Sequence, residues 1–138
     1  MDNHINIYNN LIKLTRNKSL YENIGFKENF SIRLVLFLIH FAFFIKIYKK
    51  DDNRNYMQEI YDFIFHQIEI SIREIGYGDV SINKKMKDYL NTFHKIIELV
   101  DNWKNTNNDK KSSFFLEYLN ENANTTFFIN YFDNFEIL

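Results

Sequence analysis

Leu34 to Ile45 (LVLFLIHFAFFI) is a run of 12 residues without a formal charge, bounded by Arg33 and Lys46. Water is a poor solvent for such a stretch, and a bilayer-spanning helix needs about 20 apolar residues. The run therefore predicts a helix covered by the rest of the chain over most of its circumference. A peripheral membrane contact is the other reading. No proline occurs anywhere, so nothing removes a backbone donor or forces a kink, and long uninterrupted helices are allowed. A chain of 138 residues makes one domain, 1–138, large enough to bury a core without staples. Disulfides and thiolate metal sites are excluded, because the chain has no cysteine; this fits a reducing compartment. A net charge of −1 predicts no general attraction to nucleic acid. The abundance of Lys, Asn, Ile, Phe and Tyr looks like codon bias of an AT-rich genome, so single residues of these types carry little functional weight. The start, Met1-Asp2-Asn3-His4, lacks the basic end and apolar stretch of a signal peptide and the Arg-rich make-up of a transit peptide. It reads as the start of a bacterial cytoplasmic protein.

Periodicity predicts an all-α fold, a single compact bundle of five to six helices around the buried apolar one. A first helix over 3–16 carries Ile5, Tyr8, Leu11 and Ile12 on one face. A short segment over 19–24 ends at Gly25. The central helix covers about 28–50. After the polar break Asp51-Asp52-Asn53, a helix over 54–75 repeats Met57, Ile60, Tyr61, Ile64, Ile68, Ile72 and Ile75 at spacings of three and four. The next helix starts at Asp79 or Ser81, either able to cap it, and carries Ile82, Met86, Tyr89, Leu90, Phe93, Ile97 and Val100. Residues 105–111 (NTNNDKK) read as a surface loop, with Ser112 or Ser113 capping a short helix to Leu119. The last segment, 123–135, carries Phe127, Phe128, Tyr131, Phe132 and Phe135. It must pack back, since five exposed aromatics would promote aggregation.

The junction near residue 76 holds the densest information. Two of the three glycines lie there, Gly76 and Gly78. Gly76 follows the last stripe residue and can take the left-handed conformation that stops a helix, and Gly78 allows the chain to reverse. Arg73 suits the last turn, where free carbonyls carry partial negative charge. Glu74 does not, and its position predicts a local partner. The pair reads either as a brace for the corner or as a polar surface offered to another protein. Lys84, Lys85 and Lys87 make a small basic patch near the start of the following helix, either a solvated face or a docking site to which Arg73 and Lys46 add.

Residues 69–79 (EISIREIGYGD) resemble the core of the ubiquinol–cytochrome c chaperone family, whose pattern runs Asp-x-x-Leu-Arg-Glu-Met-Gly-Val-Gly-Asp. In that pattern a short apolar stretch follows, then basic residues around a Met, then Ala-Phe-Tyr-Gly-Arg. This chain keeps Arg73, Glu74, Gly76, Gly78, Asp79, Lys85, Met86, Lys87 and Phe93. It departs after Phe93, where His94-Lys95-Ile96 stands in place of Tyr-Gly-Arg. Upstream, His40 and Lys46 in the apolar helix match a His near the middle and a basic end. The resemblance covers about 28–100 and marks a divergent bacterial member. It implies a non-catalytic assembly factor whose client is newly made cytochrome b of the bc1 complex (complex III). In mitochondrial relatives this implies work near the ribosome with a small helper protein. Arg73, Glu74, Gly76, Gly78, Asp79, Lys84, Lys85 and Lys87 are then the expected contact surface, with transient contact at the inner face of the cytoplasmic membrane.

Other chemistry is weakly supported. No Gly-x-Ser-x-Gly, Walker loop or dinucleotide fingerprint occurs, and Gly76-Tyr77-Gly78 follows a helix instead of a strand. The expectation is no enzyme, no cofactor, no small-molecule substrate and no nucleic acid. A helical metal or cofactor binder would draw on His40, His66 and Glu69. A peripheral membrane adaptor would use Lys84, Lys85 and Lys87. Phe63, Phe65 and Ile70 lie off the main stripe of their helix and form either a second core contact or a groove for the client.

Overall fold

The structure, a computed structural model, describes residues 2–25 and 29–135. Among the described residues there is no strand. Seven α-helices follow in order: α1 (Asp2–Thr15), α2 (Lys18–Glu22), α3 (Phe30–Tyr48), α4 (Arg54–Ile75), α5 (Asp79–Asp101), α6 (Asn108–Tyr118) and α7 (Thr125–Asp133). These correspond to the seven segments read along the sequence, one or two more than the five to six helices expected for the bundle. Asp51–Asn53 and Trp103–Asn105 are single 3₁₀ turns.

Helix α3 is the axis of the molecule. Every residue from Leu34 to Phe44 is buried, so the uncharged run faces protein on all sides. At ~1.5–3 kcal/mol for each large apolar side chain removed from water, this helix is the largest local source of stability. It is long and apolar enough to cross a membrane, and 67% of its apolar window is buried inside the protein. Tyr8 of α1 packs edge-on against Phe37, with ring centroids 5.7 Å apart. Phe41 meets Phe65 of α4 at 6.5 Å and stacks on Phe93 of α5 at 5.4 Å. Phe43 stacks on Phe132 of α7 at 4.9 Å. The final aromatic segment thus closes the bundle as its composition requires. Helix α5 runs in the same direction as α3. Tyr89 reaches Ser31 near the start of α3, and Lys46 near its end donates to the carbonyls of Val100 and Asp101 at 2.7 and 3.4 Å. Helix α4 lies antiparallel to both, with Met57 beside Ile45 and Ile68 beside Leu34.

Several caps differ from the sequence reading. Helix α2 stops at Glu22, and Gly25 takes its positive φ of 93° three residues later. Helix α3 starts on Asn29, whose side chain accepts from the Ile32 N–H at 2.9 Å; Glu28 lies outside the described residues. Helix α6 begins at Asn108, because Asn107 caps it by accepting from the Lys110 N–H. Ser112 and Ser113 therefore sit inside the helix. Lys111, expected in a surface loop, is buried. Its Nζ lies 4.2 Å from the Trp103 ring centre and 3.9 Å from Asp133 Oδ1, which also accepts from Trp103 Nε1 at 2.8 Å. A lysine stem covering an aromatic face with its charge aimed at a carboxylate explains that burial.

Candidate functional site at the α4–α5 corner

Helix α4 ends because its stripe ends. Gly76 takes φ 107°, the left-handed conformation, and its N–H donates to the Arg73 carbonyl at 3.0 Å. Helix α5 begins on Gly78, at φ −76° and ψ 169°. Neither Asp79 nor Ser81 caps it, since no side chain makes a cap bond there. The Asp79 carboxylate turns back instead and accepts from Arg73 Nη1 at 2.7 Å. Arg73 Nε and Nη2 also reach Glu69 Oε2 at 3.3 and 3.2 Å. One guanidinium thus bridges the last turns of α4 to the first turn of α5. These two carboxylates, Asp79 first, hold Arg73 still more firmly in its charged form.

The local partner expected for Glu74 is not Arg73, which turns to Glu69 and Asp79. Adjacent helical residues point in different directions, whereas Glu69, four residues earlier, shares the face of Arg73. Among the described residues Glu74 makes no hydrogen bond or ion pair, and it is exposed. The bracing network is nevertheless on the surface: the Arg73 side chain is half exposed, and Gly76, Gly78 and Asp79 are exposed. Lys84 and Lys87 are exposed on α5. Lys85 is half-buried, with Nζ 5.3 Å from the centre of the Tyr77 ring. Lys46 does not join this patch, because it caps the far end of α5.

The corner also carries apolar surface that periodicity hid. Val80 is 85% exposed, Ile75 51% and Tyr77 40%. Ile75 continues the α4 stripe by spacing, yet at the last turn nothing lies opposite to cover it. The available signal for Val80 was its place outside the stripe that starts at Ile82. The second apolar face of α4 is mostly core. Phe65 is buried against Phe41, Tyr61 and Phe93, and Phe63 packs on His4 and Tyr8. Only Ile70 of that set is exposed, so these residues form no client groove.

Histidine chemistry is equally constrained. His40 is fully buried, with Nδ1 2.6 Å from the Leu36 carbonyl and Nε2 2.7 Å from the Tyr131 hydroxyl. Both ring nitrogens are therefore engaged within the core. His66 is exposed on α4, and no group of three or more His, Cys, Asp or Glu among the described residues is placed to hold a metal ion. His40, His66 and Glu69 therefore do not converge. A cleft of about 130 Å³ between α1, α3 and α4 is lined by Tyr8, Ile12, Leu34, Phe37, Ile68 and Ser71, among others.

Residues 22–111, about two thirds of the chain, match the family described as Ubiquinol-cytochrome C chaperone. The chain belongs to that family. No curated protein and no solved structure matches it. In this member of the ubiquinol-cytochrome C chaperone family, the matched span takes in α3, α4, α5 and the whole corner, and it ends within α6. The family part is therefore the central three-helix packing with its projecting junction, while α1 and α7 close the core from outside the match. A chaperone family implies a binding role carried out on a protein client, not turnover of a substrate.

Proposed function

We propose that this chain is a non-catalytic assembly factor that binds newly made cytochrome b during assembly of ubiquinol–cytochrome c reductase, and that the α4–α5 corner is its contact surface. The supporting observation is the state of Arg73, Glu74, Gly76, Gly78 and Asp79. All five lie inside the family match and are exposed, and the exposed Arg73–Asp79 pair braces the junction. A junction rigidified by a two-helix ion bridge presents its polar groups in one arrangement, which lowers the entropy lost when a partner docks. Lys84, Lys85 and Lys87 extend the surface along α5. Work in the cytoplasm, at the inner face of the cytoplasmic membrane, suits a client that is itself a membrane protein.

Recovery of cytochrome b with tagged protein from cells tests the reading. The wild-type chain should recover it. Arg73→Ala and Asp79→Ala, checked for intact helical content, should lose most of that recovery. A normal bc1 level in a deletion strain would count decisively against the proposal.

A further inference from the structure

The cleft of about 130 Å³ between α1, α3 and α4 has a lining sorted by polarity. Leu34, Phe37 and Ile68 are buried and form its floor, whereas Arg16 and Arg33 are exposed and stand at its mouth. The hydroxyls of the lining are spent inside the protein. Thr15 donates to the Leu11 carbonyl at 2.8 Å, Tyr21 to the Thr15 carbonyl at 2.8 Å, and Ser71 to the Gln67 carbonyl at 3.0 Å. The Tyr8 hydroxyl bonds to Ser71. Arg16 differs: its guanidinium makes no hydrogen bond or ion pair among the described residues. That group stays charged and offers five donors. It also stands close enough to act on Tyr8. Burial raises the Tyr8 pKa, the Ser71 bond and the Arg16 charge pull it down, and Glu74 adds a smaller upward push.

Among the described residues no acidic side chain lines the cleft. From Asn3 to Tyr21 the chain carries Lys13, Arg16 and Lys18 and no acid, and α3 carries no acid either. Glu74 opposes these cations from α4, one turn beyond Ser71 and outside the lining, while Glu69 is held by Arg73. The ligand therefore needs an apolar body and an anionic end. Its size follows from the floor. An apolar cavity of ~150 Å³ holds one benzene, so this cleft takes a single ring. A docked helix or strand presents several side chains in series and needs a longer groove. We infer that the cleft binds a small arylcarboxylate, its ring against Leu34, Phe37 and Ile68 and its carboxylate on the Arg16 guanidinium, with Arg33 at the same mouth. A planar carboxylate suits the forked donors of arginine. The inference does not rest on the identity of the client.

A methyl-resolved NMR titration of the full chain tests it, with phenylacetate, phenylacetamide and acetate as probes. Phenylacetate should shift the methyl signals of Leu34 and Ile68 with a Kd on the order of 1 mM, within reach of a ligand of about ten non-hydrogen atoms. Phenylacetamide has the same shape without the charge and should bind about tenfold more weakly. Acetate has the charge without the ring and should leave those methyls unmoved. Arg16 is exposed just past the end of α1, so Arg16→Gln should fold. It should weaken phenylacetate about tenfold and leave phenylacetamide unchanged. Arg16→Lys should fall between, because it keeps the charge and loses the fork. Ser71→Leu, checked for intact helical content, places a larger apolar group in the cleft and should abolish the shifts. Unmoved Leu34 and Ile68 methyls at about 10 mM phenylacetate overturn the inference. So does equal binding of phenylacetate and phenylacetamide, or phenylacetate binding unchanged in Arg16→Gln, since either makes the cleft an uncharged packing gap. Shifts of the same methyls by the blocked dipeptide acetyl-phenylalanyl-glutamyl amide but not by phenylacetate would assign the cleft to a protein segment and overturn the small-molecule assignment.

Discussion

The Tyr131 hydroxyl on α7 lies 2.7 Å from Nε2 of His40 at the centre of α3, although 91 positions of sequence separate them. The direction of this bond follows from its neighbour. The Leu36 carbonyl, 2.6 Å from Nδ1, can only accept, so Nδ1 carries the proton of the neutral ring. Nε2 is then an acceptor, and the phenol donates to it. Tyr131→Phe should leave a buried nitrogen without a donor and cost about 1–3 kcal/mol. Urea denaturation at neutral pH measures this as a lower midpoint with an unchanged slope. A variant as stable as the wild type would mean that this bond contributes nothing to docking α7.

The same histidine predicts a pH dependence. Burial holds its pKa down at about 4, only partly opposed by the Leu36 carbonyl, against about 6.5 in the unfolded chain. Between these values the unfolded state binds more protons, so stability rises with pH. The contribution is complete above about pH 6.5 and is lost as pH falls to about 4, with a total on the order of 3 kcal/mol. Equilibrium unfolding across that window should show the slope, and His40→Phe should flatten it. Tyr131 acts at the other extreme, its pKa pushed up to about 12 by burial. Stability from this group persists below about pH 10 and is lost as pH climbs further.

The two corner glycines should respond oppositely to substitution. Gly76, at φ 107°, becomes strained with any Cβ, so Gly76→Ala should destabilise by about 1–2 kcal/mol. Gly78, at φ −76° with open space around it, tolerates a side chain. Gly78→Ser should be neutral or stabilising by up to about 1 kcal/mol, through a cap for α5 and a less flexible unfolded chain. Thermal unfolding of the two variants side by side checks the contrast; a Gly78→Ser less stable than Gly76→Ala would contradict it.

Phe93 is fully buried and stacked on Phe41, with Tyr61 and Phe65 beside it. Removing its ring opens a cavity among aromatics that cannot collapse, at about 3–5 kcal/mol. Because small domains hold only about 5–15 kcal/mol in total, Phe93→Ala should unfold far below the wild-type midpoint by far-ultraviolet circular dichroism. Phe93→Leu should recover a large part of the loss, because it restores much of the volume.

The local pattern of residues was enough for the helices that carry the fold. Leu34 to Ile45 implied a covered axis because no other placement removes that much apolar surface from water, and every residue from Leu34 to Phe44 is buried. The stripe from Met57 to Ile75 and the glycine after it located the end of α4, since helical period and left-handed glycine are short-range properties. The motif around Arg73 was sufficient to identify the family. The partners of the charged and polar side chains were decided only by packing. Arg73 engages Asp79 because the corner folds Asp79 back over α4, His40 is satisfied by a residue of the last helix, and Lys111 sinks between Trp103 and Asp133. Ile75 and Val80 are open because the bundle ends before it reaches them. Periodicity reports which face of a helix is apolar; whether anything stands opposite that face depends on where the other helices stop.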